Sequence, residues 1–127
     1  MVKSFFIYTA IIEALTGLGL LVAPALVAKV LLNADLSGSL DVILAMVAGV
    51  AICSIALLSW LARNHSADNR SLLPLLLYNI AVSLVLLYAA WSMGYRVLMI
   101  WAVIIFHLFQ SVMCAFLLKE KNEGTHS

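Results

Sequence analysis

Residues 5–28 read FFIYTAIIEALTGLGLLVAPALVA. At about 1.5 Å of rise per helical residue this run is long enough to cross a hydrocarbon core, which takes roughly 20 apolar residues. Its one acidic or basic side chain is Glu13. A carboxylate at mid-helix costs roughly 2.5–3.5 kcal/mol on insertion scales, so it is expected to face a partner or a cavity rather than lipid. Glu13 therefore marks both a membrane helix and the side of it that looks inward.

Three more low-charge stretches follow, at about 40–62, 72–92 and 97–118. With the first they use most of the 127 residues, of which 65% are hydrophobic and 10% charged. Soluble domains average about 25% charged and 45–50% apolar. The expected fold is all-α: one integral membrane four-helix bundle, residues 1–127. A soluble catalytic domain is excluded, because too little chain lies outside the spans to build one. Lys3, the apolar run and Ala23-Pro24-Ala25 imitate a signal peptide, but the run exceeds the usual core of about 7–15 residues and carries Glu13, so the segment is expected to stay. Cys53 and Cys114 fall inside spans and read as small packing residues rather than a disulfide framework.

Orientation follows from the basic residues. Lys3, Arg63, Arg70, Lys119 and Lys121 share one side of a four-span layout, against Lys29 and Arg96 on the other. Cytoplasmic flanks carry the excess, so both termini and the loop 63–70 (RNHSADNR) are expected in the cytoplasm. Trp91, Tyr95 and Trp101 then flank the outer interface and Tyr8, Trp60 and Tyr78 the inner one. The stretch 29–39 (KVLLNADLSGS) reads as an amphipathic surface segment ending in a helix start at Ser37-Gly38-Ser39, with Asp41 in the favourable first turn. Pro24 is expected to kink or end the first helix, and Pro74 to sit in the first turn of the third. Only residues 93–96 separate spans three and four, which makes those helices antiparallel neighbours. The tail 119–127 is short and charged.

Converting position to depth groups residues from different helices. Glu13, Asn79 and Gln110 each lie about eight residues, roughly 12 Å, from the cytoplasmic end of their spans, with Ser54 similar. His107 lies one turn deeper than Gln110, and Ser111 and Cys114 continue that face. Thr9, Glu13, Thr16 and Gly17 form a stripe on the first helix. Lipid offers polar groups no hydrogen bonds, so these residues are expected to point inward together. The candidate ligand-binding residues are thus Glu13, Asn79, His107, Gln110, Thr9, Ser54 and Ser111. The plainer reading of Asn79, Gln110 and Ser83 is hydrogen-bond glue between helices, at an average near 0.6 kcal/mol per contact. The row Ala45, Gly49, Cys53, Ala56 reads as a close-packing face for a neighbouring helix.

No cofactor or metal is expected. His107, Glu13, Cys53 and Cys114 are ligand types, but no His-x-x-x-His, Glu-x-x-His or Cys-x-x-Cys spacing joins them. His107 is the one histidine within a span, which leaves a b-type haem to depend on a methionine such as Met113. Nothing resembles a phosphate loop, a nucleophile elbow or a nucleic-acid surface, and His65 and His126 read as loop and tail residues.

In layout, four short spans with a buried acid in the first, the chain resembles small bacterial membrane proteins of the DoxX-like kind. That resemblance implies a multi-pass protein of the bacterial inner membrane and transfers no site residue. The expected function is binding of a small amphipathic or lipid-like molecule, such as a lipid or quinone, by a homo-oligomer or an accessory subunit of a membrane complex. A transporter or proton pathway through Glu13 and His107 is the alternative, refuted by proteoliposome flux that ignores Glu13→Gln. A membrane-embedded acid/base isomerase using the same pair is a third, refuted by activity that survives loss of both residues.

Overall fold

The structure is a computed structural model that describes residues 2–64, 69–95 and 97–124, with the backbone alone for 69, 70 and 121–124. Most of the loop 63–70 with His65, Arg96, and the tail beyond Glu120 with His126 lie outside the residues or side chains described. Among the described residues the chain is all helix: α1 Val2–Val22, α2 Pro24–Leu32, α3 Ser39–Ala62, α4 Asn69–Ser92 and α5 Leu98–Gly124. All but α2 are long and apolar enough to cross a membrane. They form two compact units, α1 to α3 and α4 with α5.

In the first unit, helix α1 stops at Val22, short of the Ala28 boundary read from hydropathy. The reason is Pro24, which occupies the first turn of α2 after Ala23 has left helical geometry at φ −141° and ψ 60°. A proline there gives up an N–H that would be unsatisfied anyway. Helix α2 then runs through the start of the expected surface segment and closes on Asn33, which adopts left-handed geometry at φ 52°. Asparagine tolerates that conformation better than most residues. Lys29 and Asp35 pair at 3.0 Å across this turn. The expected helix start is present: the Gly38 N–H donates to Asp41 Oδ2 at 3.0 Å, and the Ser37 hydroxyl reaches the same oxygen at 3.5 Å.

Helices α1 and α3 run antiparallel and touch backbone to backbone. A Cβ on Gly17 would lie 2.7 Å from Cys53 Sγ and 2.9 Å from the Gly49 carbonyl, and one on Gly49 would lie 2.8 Å from the Gly17 carbonyl. The face read as close-packing is therefore occupied within the chain, by α1. Small residues serve this way in lipid, where burying apolar surface gives no net drive and contact area decides.

The second unit is a hairpin. Helix α4 ends at Ser92, and Gly94 at φ +79° turns the chain back, with the Tyr95 N–H donating to the Ala89 carbonyl at 3.2 Å. Glycine takes a positive φ without the steric cost other residues meet. Leu72, Leu75, Ile100, Ile104, Cys114 and Leu117 are buried in this unit. Pro74 lies inside α4 rather than in its first turn, because the helix begins at Asn69, ahead of the hydropathy boundary. Its side chain is exposed.

Candidate functional site

Asn79 of α4 and His107 of α5 meet across the hairpin. The His107 Nδ1 lies 2.7 Å from Asn79 Oδ1, a hydrogen bond between helices, with His107 5% exposed and Asn79 fully buried. The amide of Asn79 is itself fixed, since its Nδ2 donates to the Leu75 carbonyl at 2.7 Å. With the nitrogen of that amide spent on Leu75, its oxygen faces the ring, and Nδ1 must carry the proton in the bond. The neutral imidazole then has its lone pair on Nε2. Among the described residues Nε2 has no hydrogen-bond partner. The rings of Tyr78 and Phe106 stand edge-on to the imidazole, with centroids 5.7 and 5.2 Å away. They add apolar walls that hold its plane.

Hydroxyls on the same helices are tied locally. Ser111 donates to the His107 carbonyl at 2.9 Å, and Ser83 to the Asn79 carbonyl at 2.8 Å. Back-bonding to the carbonyl four residues earlier satisfies a serine inside an apolar helix without a neighbour. Gln110 and Cys114 are fully buried.

In the first unit, Glu13 is 3% exposed and lies one turn from Thr9 and from Gly17 on the buried face of α1. Thr9 is also buried, its hydroxyl donating to the Phe5 carbonyl at 3.0 Å, while Thr16 is half-buried. Ser54 is placed differently. It lies on the exposed side of α3 and donates to the Val50 carbonyl at 3.0 Å, so the structure does not bring it in with the buried residues of its unit. Ser59 takes the buried position on α3, fully enclosed, with no hydrogen-bond partner for its hydroxyl among the described residues. Sequence reading passed over Ser59, although it continues the row Gly49, Cys53, Ala56 at helical spacing.

Among the described residues no three His, Cys, Asp or Glu side chains gather closely enough to hold a metal ion. Both cysteines are free thiols, Cys53 against Gly17 and Cys114 buried in α5. No protein-family model matches the chain, and no curated protein or solved structure resembles it at a significant level. The functional reading therefore rests on its own residues.

What the arrangement offers chemically is one aimed acceptor. The chain Leu75 carbonyl, Asn79 amide, His107 imidazole passes orientation from backbone to ring and leaves a basic nitrogen set among aromatic and aliphatic side chains. Such a nitrogen accepts a hydrogen bond from a hydroxyl or an N–H, and has no hydrogen to give while the ring is neutral.

Proposed function

We propose that this protein is a small multi-pass membrane protein that holds a small amphipathic molecule at its buried polar side chains, with His107 recognising a hydroxyl on that molecule. The observation that carries this reading is the Asn79–His107 hydrogen bond, which commits Nδ1 and leaves Nε2 as an unused acceptor inside an apolar helix pair. A ligand O–H makes a hydrogen bond to that nitrogen, whereas a hydrocarbon does not. Pockets for small molecules have this make-up, apolar walls with a few placed polar groups. Gln110 and Ser111 are the other buried polar residues of that helix pair assigned to binding, and Glu13 and Thr9 are those assigned to binding in the first unit.

The four long apolar helices support the membrane setting. The excess of Lys and Arg on one side supports cytoplasmic termini, and the layout supports a bacterial inner membrane. The protein is assigned to work as a homo-oligomer or as a subunit of a larger membrane complex.

The test is to purify wild type, His107→Leu, Asn79→Leu and Glu13→Gln in mild detergent and to quantify retained lipids and quinones by mass spectrometry. A hydroxyl-bearing species held by wild type is expected to fall about fivefold or more in His107→Leu, in line with loss of one buried hydrogen bond. Equal and negligible retention in all four proteins rejects the reading.

A further inference from the structure

Within the first unit a groove of about 410 Å³ runs between α1 and α3, lined by Ala10, Ala14 and Leu18 on one side and Cys53, Leu57 and Trp60 on the other. Its volume is in the range of small-molecule sites, about 300–1,000 Å³. Leu18, Leu57 and Trp60 are exposed, so the groove opens outward. From Ala10 to Leu18 it covers about 12 Å along the helix axis. That is close to one leaflet, half of a hydrocarbon core of about 30 Å.

The end of the groove at Trp60 is charged. The Arg63 guanidinium stacks on the Trp60 ring with Cζ 3.8 Å from the ring centre, and one of its N–H groups donates to the Trp60 carbonyl. Guanidinium has five N–H donors in all. Among the described residues no carboxylate pairs with Arg63.

We infer that this groove is a binding site for one anionic phospholipid, its acyl chain laid between α1 and α3 and its phosphate on Arg63. The inference rests on the membrane setting proposed above but not on the ligand assigned to His107. A slot one leaflet deep with a cation at its mouth matches a single lipid tail and headgroup. A helix from a second copy would cross both leaflets, twice the length of the slot. Arg63 is suited to the task because planar guanidinium engages phosphate oxygens in pairs.

Native mass spectrometry tests this with phosphatidylglycerol and phosphatidylcholine added in equal amounts to full-length protein in mild detergent. Wild type is expected to carry one phosphatidylglycerol in preference by about fivefold, the effect of one basic residue at a membrane surface. Arg63→Gln is expected to remove the preference and Arg63→Lys to keep part of it. Ala14→Leu, which fills the groove, is expected to lower binding of both lipids, and Ala10→Leu provides the same block should the first substitution impair folding. His107→Leu is expected to leave the preference unchanged, which separates this site from the one assigned to His107. A preference that survives Arg63→Gln, no retained lipid in wild type, or a dimer that Ala14→Leu dissociates would each overturn the inference.

Discussion

The α1–α3 pair and the α4–α5 pair are both made of long apolar helices, yet they are joined by different chemistry. In the first, Gly17 and Gly49 bring two backbones into contact. In the second, Asn79 and His107 form a hydrogen bond from one helix to the other. The contrast separates what a membrane helix pair needs from what it can carry in addition. Close contact is sufficient for association. A buried histidine held by an asparagine goes beyond that need, and its second nitrogen is the group with chemistry to offer.

The contrast is broken most severely at Gly49. Gly49→Val is expected to cost about 3 kcal/mol, since the new side chain meets the Gly17 carbonyl rather than a flexible group that can move aside. Unfolding in mixed detergent micelles followed by circular dichroism measures it, and a cost under about 1 kcal/mol would mean the glycine contact is not what joins α1 to α3. Asn79→Leu is expected to cost less, about 1.5 kcal/mol, near the upper end of side-chain hydrogen bonds measured in membrane proteins. A double-mutant cycle with His107→Leu sharpens the point, because additive effects would show that the two side chains are not coupled. Gly94→Ala isolates backbone conformation. A Cβ there meets nothing within 4 Å, so the expected cost of about 1 kcal/mol comes from the positive φ alone. Ser54→Ala should lie within about 0.5 kcal/mol of wild type in the same assay, as an exposed position whose hydroxyl bonds its own helix.

Much of the helix layout is legible in the residues themselves. Charge-poor runs of the right length give the four long helices, Pro24 marks a break, Gly94 marks the hairpin, and Asp41 marks the start of α3. Boundaries shift because hydropathy is blind to backbone geometry. It carries the first span through Pro24 to Ala28, where the helix stops at Val22. Burial follows as well: Asn79, His107, Gln110 and Ser111 are buried, as polar side chains on apolar helices are expected to be. Rotation about the helix axis transfers poorly, and Ser54 and Ser59 are the cost. A soluble helix shows its core side through an apolar stripe opposite a polar one. Helix α3 is apolar all round, so neither serine is flagged as inner or outer by its neighbours, and only packing against Gly17 settles the phase. The pairing of His107 with Asn79 depends on the same unseen rotation, and on a hairpin register that places the histidine, one turn from Gln110, opposite the amide.

The central claim is that Asn79 fixes His107 with its proton on Nδ1 and its acceptor on Nε2. Nitrogen-15 NMR of labelled histidine in the purified protein reads it directly, with His107→Leu identifying the signal among the three histidines. At neutral pH the account expects a protonated Nδ1 and an unprotonated Nε2, with the Nδ1 resonance moving on Asn79→Leu. A proton found on Nε2 instead, or a spectrum unmoved by loss of Asn79, would contradict it.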